Sequence, residues 1–508
     1  MPRLVVVSRD RVVVVGAGLG GLSAAIHLAA AGREVTVVER ASQPGGHAGA
    51  LIDNGYTFDT GPSVLTMPQL LDETFAALGE SRAQWLPLMR LEPAYRATFA
   101  DGSVLDVLTD PAQMAEQIRS LCGAKDADGY LRFVAYLKQM YRLQMPNFID
   151  AELASPRELL NLSLFGLIRR GALRRLAPKV GSFMDDDRLR RLFTFQALYA
   201  GVSPLQALSV YSVISYMDTV NGVFAPQGGM HAIATSLANV AQKHGVSFLY
   251  NTEVCSVDVR GERAQAVLTS DGGRIEAEAV VLNTDADTAY RTLFAGTSMT
   301  KRRAARTYSP SCVVLHTGTT TPPPPGTAHH TISFGHAWRQ TFEEILQRGE
   351  VMSDPSILVS TPSLSDPTLA APGGHTQFAL FPTPNLHHRP PIDWTDLAPR
   401  YRDHMVQTLV SRGFTGFAEG VEATHLVTPA EWQRMGCPAG TPFALAHTLG
   451  QTGPFRPAIA HPSLDNVVFC GASTRPGVGV PMVLISGRLA ARRLLTRRLA
   501  PAAQTPRP

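Results

Sequence analysis

The chain is poor in charge. Asp, Glu, Lys and Arg make up 17% of its 508 residues, against roughly 25% in an ordinary globular chain. Neither sign dominates: 46 Lys and Arg stand against 42 Asp and Glu, a formal charge of +4. That is not the balance of a dedicated nucleic-acid binder, which needs a basic stripe to neutralise phosphates. Cysteine is scarce. Cys122, Cys255, Cys312, Cys437 and Cys470 are odd in number, far apart and in no CxxC pair. This argues against a disulfide scaffold or a Cys-based zinc site and fits reduced thiols in a reducing compartment. No HExxH or similar spacing occurs, so no metal is expected. Nowhere do 18 apolar residues follow one another, so no transmembrane helix is expected. In MPRLVVVSRD charge returns too soon for the apolar core of a signal peptide. There is no repeat, and 44% hydrophobic residues leave no room for general disorder. What remains is a folded protein of two or three domains, soluble or lying on a surface.

The first fifty residues carry a definite pattern. Arg11–Val15 (RVVVV) reads as a buried parallel strand. Gly-Ala-Gly-Leu-Gly-Gly follows, with Gly16, Gly18 and Gly21 in GxGxxG register and Leu19 and Gly20 between them. Leu19–Ala31 has helical spacing, Gly32 ends it, and Glu34–Glu39 (EVTVVE) is a second strand closing on an acid. Gly16 permits the tight turn, Gly18 lets a pyrophosphate approach the backbone, and Gly21 lets helix and strand pack closely. The helix N-terminus offers free N–H groups to phosphate. Glu39, followed by Arg40, is placed to accept from ribose hydroxyls. The unit predicts dinucleotide binding.

Next come Pro44-Gly45-Gly46-His47 and Asp59-Thr60-Gly61-Pro62. They resemble the stretch with which the flavin-dependent amine oxidase and phytoene desaturase superfamily wraps FAD, although His47 stands where Arg is usual. Near the other end, Cys470-Gly471-Ala-Ser-Thr-Arg-Pro-Gly477-Val478-Gly479-Val480-Pro481 runs into an amphipathic helix. It closely resembles the signature of bacterial-type carotenoid (phytoene) desaturases. Phe195–Gly229, Ala328–Ser353 and Gly440–Pro457 are similar to that family too, especially its actinobacterial-type members. The resemblance implies a Rossmann-like FAD-binding domain and, beside it, a substrate domain of sheet and helices with a helical membrane-contact region. It implies FAD as cofactor, with Asp59, Gly61, Pro62 and Val254 added to the cofactor residues. It implies desaturation of phytoene towards lycopene by hydride transfer to flavin N5. Another carotenoid as substrate of a desaturase, isomerase or ketolase is the alternative. A flavin amine oxidase would need an aromatic cage, and none of the four Trp lies beside the terminal glycine motif.

The organisation follows. Residues 1–80, 225–300 and 425–500 are assigned to a discontinuous nucleotide domain. Residues 81–224 read as mainly helical, residues 301–424 as substrate-domain sheet and helices, and 501–508 as a disordered tail.

A hydrocarbon substrate offers no hydrogen-bonding handle, so the site should be a long apolar tunnel. No strong polar catalytic constellation is visible. His329 and His330 read as a pair near the flavin or as structural residues of the sheet. Arg157 and Glu158 read as an acid–base pair or a helix-end ion pair. Residues 157–179 join an apolar block (Leu159 to Ile168) to Arg169, Arg170, Arg174, Arg175 and Lys179. The segment holds six basic residues and one acid, so the remainder carries 40 against 41 and the excess is local. This suits docking on anionic lipid, and the expected location is the inner face of the cell membrane. The electron acceptor is left open.

Overall fold

The computed structural model describes residues 11–295 and 306–496. The ten N-terminal residues and the tail expected at 501–508 lie outside them. Two sheets organise the chain. The first is parallel, in the order Val467–Phe469, Ala279–Leu282, Arg11–Val15, Glu34–Val38, Ser247–Leu249. Its central strand is buried on both faces, as a β-branched run requires. Val12 and Val14 pack towards the helices Leu19–Ala30, His231–Lys243 and Val480–Thr496. Val13 packs the other way, with Val257, Val280 and Phe469. There a three-stranded antiparallel sheet (Val254–Arg260, Arg263–Thr269, Arg274–Glu276) and the helix Ala286–Thr292 close the layer.

The first and last helices pack against each other more closely than side chains allow. A methyl group at Gly487 would lie 2.2 Å from the Gly20 carbonyl oxygen. Ser23 Oγ donates to the Leu484 carbonyl at 2.8 Å. Two ends of the sequence therefore meet at the edge of one site.

The second sheet has seven strands, in the order Val421–Val427, Ser311–Thr319, His375–Thr383, Ile357–Ser360, His330–Ser333, Tyr95–Thr98, Val104–Val107. All its pairings are antiparallel except that of His330–Ser333 with Tyr95–Thr98. Period-two alternation sorts its side chains. Val313, Leu315 and Phe381 pack under the helix Trp394–Ser411, while Cys312, Val314 and Leu380 face a cavity.

Two boundaries differ from expectation. The stretch 81–224 contributes two short strands, Tyr95–Thr98 and Val104–Val107, to the second sheet. Residues 425–427 belong to that sheet's edge strand rather than to the nucleotide layer. Most helices of 111–219 form one apolar cluster around Tyr130, Phe133 and Phe193, while Val213 and Met217 of the helix Ser212–Thr219 join the core of the first sheet. Among the described residues no helix is long and apolar enough to cross a membrane.

Candidate active site

The carboxyl ends of the parallel strands point into a cavity of about 1420 Å³. This is where open parallel sheets bind ligands. Gly16, Gly18, Leu19 and Gly20 line it after the first strand, and Glu39 and Arg40 after the second. Gly45, Gly46, His47, Gly61 and Pro62 follow, with Val254 and, from the far end of the chain, Gly471, Val478, Gly479 and Val480. The first helix starts at Gly18 with no side-chain cap, so its leading N–H groups remain available to an anion. The Glu39 carboxylate is fixed by the Ala17 and Ala41 N–H groups, at 2.7 and 2.9 Å. Each oxygen keeps a lone pair for a further donor.

Three expected residues lie elsewhere. Gly21 is absent from the cavity wall; a methyl there would sit 2.1 Å from the Gly16 carbonyl oxygen, so its place is the helix–strand contact. Gly477 packs against the His447 ring, where a methyl would lie 2.4 Å from Cε1. Asp59 turns away. Its two oxygens accept from the Met230 and His231 N–H groups at 2.8 and 3.0 Å, holding the start of His231–Lys243. Burial pushes its carboxyl up to about 6. It lines a second, smaller cavity.

His47 lies deep inside the molecule, with its ring exposed to the cavity and its Nε2 3.3 Å from Cys437 Sγ. Burial, with Arg40 nearby, lowers its pKa. Burial likewise pushes the Cys437 thiol up to about 12. The contact therefore joins a neutral imidazole to a neutral thiol.

The candidates for polar catalysis are not brought to the glycine-lined end. His330 packs against Tyr95 and bonds Ser360 Oγ at 2.7 Å; His329 bonds Ser365 Oγ at 2.7 Å and faces the smaller cavity. His330 begins a strand of the second sheet and His329 immediately precedes it. Arg157 and Glu158 make neither an acid–base pair nor an ion pair. Both are exposed, and Glu158 closes a capping box on Ser155 at the turn Pro156–Leu159.

Sequence reasoning missed three residues. Asn283, at the end of the strand Ala279–Leu282, is wedged among the glycines: methyl groups at Gly18, Gly20 and Gly471 would each lie 2.8 Å from its carboxamide. Its place after a strand that returns to the sheet was the available signal. Arg456 and Arg475 are buried and bind only backbone carbonyls. Arg456 reaches Leu445, Ala472 and Thr474; Arg475 reaches Glu152, Leu153, Pro454 and Arg456. Together they brace the terminal glycine loop. Both lie in the family-like segments, but a pattern does not show what an arginine holds.

From this polar end the cavity continues as an apolar arm. Its walls are Phe195, Leu198 and Ile214 from the helical stretch and Val314, Leu358 and Phe378 from the second sheet. Leu164, Ile168, Leu173, Leu449 and Phe455 line it and also carry exposed surface, and Leu160, Leu162 and Phe165 beside them are 80, 90 and 67% exposed. A phosphorylated ligand fits the polar end, and a long hydrocarbon fits the arm.

Known proteins share this plan. The model of the flavin containing amine oxidoreductase family matches residues 19–495. A phytoene dehydrogenase of Streptomyces griseus is 49% identical over 97% of this chain and 96% of its own length. A lycopene-forming phytoene desaturase of a Paracoccus species is 32% identical over 95% of this chain and 97% of its own. An oxidoreductase structure from Methanosarcina mazei superposes with a TM-score of 0.64 at 17% identity, covering 95% of this chain and all of that one, a likeness of fold alone. Matched from the first glycine turn to the last helix, the chain belongs to the flavin containing amine oxidoreductase family, in its phytoene desaturase group.

Proposed function

We propose that this chain is an FAD-dependent phytoene desaturase that introduces double bonds on the path to lycopene. One observation carries the reading: a single cavity joins a glycine-lined cradle to an apolar arm. The residues fit FAD. The cradle supplies a helix start without a side-chain cap, a buried carboxylate with free lone pairs, and glycines that side chains would fill. Gly16, Gly18, Leu19 and Gly20 would hold the pyrophosphate, and Glu39 the adenosine ribose. Gly45, Gly46, His47, Gly61, Pro62, Gly471, Val478, Gly479 and Val480 would hold the remainder, with Val254 at the edge. Gly21 and Gly477 would act by packing. Bound there, FAD would supply the acceptor for a hydride from the hydrocarbon. The protein's part is to align the polyene in the arm and to keep water from it.

The mouth of the arm supports docking on a membrane surface. Its exposed apolar side chains come from 160–173 and from 449–455. Among the described residues no carboxylate lies within 4.0 Å of Arg157, Arg169, Arg170, Arg174 or Arg175. Lys179 departs from the expected cationic set, since it folds inward over Tyr136 and Phe183. We read this face as the place where substrate leaves the bilayer, with the protein on the inner leaflet.

The test is direct. Purified chain should release FAD on denaturation and convert phytoene in liposomes to products with longer conjugation. FAD-loaded protein that leaves phytoene unchanged with quinone and with oxygen as acceptors would overturn the reading.

A further inference from the structure

One residue of the apolar arm does not match its surroundings. Asp218, in the last turn of the helix Ser212–Thr219, lines the cavity and is 2% exposed. Neither carboxyl oxygen has a hydrogen bond of standard geometry. The polar groups around it are uncharged and loosely placed. Gln196 Nε2 is itself unpartnered, as is the hydroxyl of Tyr95, and Tyr199 completes the group. Burial holds this carboxyl well above the usual carboxylate range.

A buried polar group without partners costs stability. A tunnel that only houses a hydrocarbon has no use for one. Desaturation, however, needs a group that accepts a proton beside the polyene.

We propose that Asp218 is the base of the desaturation, an inference that rests on the function proposed above. One C–H bond of the substrate breaks and its hydrogen leaves with both electrons to the oxidised flavin. The neighbouring C–H bond breaks, its electron pair becomes the new π bond, and its proton passes to an Asp218 oxygen. The substrate would lose two hydrogens and two electrons: the hydride to the FAD that the glycine-lined cradle would hold, and the proton to the Asp218 carboxylate, which becomes a carboxylic acid and returns its proton to solvent between turnovers. The site suits this step. Burial favours the carboxylic acid before substrate binds, so Asp218 gives its proton to solvent before it serves, and the carboxylate then formed binds a proton strongly. Positive charge developing on the adjacent polyene is the counter-charge that the site otherwise lacks.

The experiment uses full-length, FAD-loaded protein and phytoene liposomes under anaerobic stopped flow. Asp218→Asn should bleach its flavin at least about 10²-fold more slowly than wild type, the usual loss for a general base. Asp218→Glu should recover part of the rate. Phytoene deuterated at the proton-yielding carbons should show a larger isotope effect with Asp218→Asn than with wild type. FAD content should be unchanged and the Tm of Asp218→Asn should rise, which separates lost chemistry from lost folding. Wild-type bleaching matched by Asp218→Asn overturns the role of Asp218 alone. A wild type that phytoene does not bleach overturns the desaturase reading and the base with it.

Discussion

The exposed apolar mouth makes a quantitative prediction. Leu160, Leu162 and Phe165 are 80, 90 and 67% exposed in the free molecule. Leu162 and Phe165 lie three residues apart on the short helix Leu162–Arg169, so they share a face. Full burial of a Leu or Phe side chain yields about 1.5–3 kcal/mol. Most of that gain is still available to these three, so inserting them in the acyl boundary should contribute about 4–7 kcal/mol. The perturbation is the triple change Leu160→Ser, Leu162→Ser and Phe165→Ser. It should lower partitioning onto phosphatidylglycerol-containing vesicles by about 10³-fold or more, at 1.4 kcal/mol per tenfold. The cations add a salt-sensitive part of about 1 kcal/mol each near anionic lipid. Arg170 also bonds Gln139 and the Gly166 carbonyl, and Arg175 the Gln206 carbonyl, all neutral groups that leave their charge in place. Vesicle co-sedimentation with flavin absorbance as the folding control measures both parts. A triple variant that sediments like wild type at low and high salt would refute the reasoning.

Other perturbations act on the cradle. Gly487→Ala drives a methyl into the Gly20 carbonyl oxygen across the first and last helices; it should cost about 1–3 kcal/mol by overpacking and shed FAD, read by thermal denaturation and by flavin retained on gel filtration. Glu39→Gln turns one acceptor of a backbone N–H into a donor; the FAD Kd should rise about tenfold or more, the effect of 1.4 kcal/mol, in a fluorescence titration of apoprotein. His27, on the first helix, is kept neutral by burial and by Arg488, with its pKa lowered from 6.5 to about 4. Its folded pKa is depressed, so its contribution is present above pH 6.5 and is lost as pH falls towards 4. The loss is about 3 kcal/mol at 1.36 kcal/mol per pH unit. Denaturant melts of wild type and His27→Gln should diverge over that window, wild type losing more stability on acidification. Parallel curves would exclude the histidine as the cause.

The nucleotide layer was legible because its signal is local. A β-branched run, a glycine turn, an amphipathic helix and an acid follow one another within 29 residues of Arg11, and each step has one physical reason. The two four-residue strands Tyr95–Thr98 and Val104–Val107 were not. Period two over four residues is a weak signal inside a stretch of helical spacing. Asp59 shows another limit. It stands two residues before Gly61, yet its carboxylate serves N–H groups 171 and 172 residues away. His330 shows a third. It lies on the same strand as Ile332, which lines the cavity, but two residues earlier, where Tyr95 and Ser360 enclose it. Asp218 carried no motif. It stood out only once its apolar surroundings and missing partners were known. The local excess of positive charge divides in the fold: the arginines of 157–179 flank the cavity-lining Leu164, Ile168 and Leu173 in sequence, whereas Lys179 folds inward over Tyr136 and Phe183.

The central claim is that the flavin of this chain takes its electrons from a polyene hydrocarbon. A single anaerobic turnover with substoichiometric flavin tests it most directly. Phytoene in liposomes should bleach the flavin, with one new carbon–carbon double bond appearing per flavin reduced, while primary and secondary amines leave the flavin oxidised. Bleaching by an amine, with phytoene recovered intact, would contradict the account.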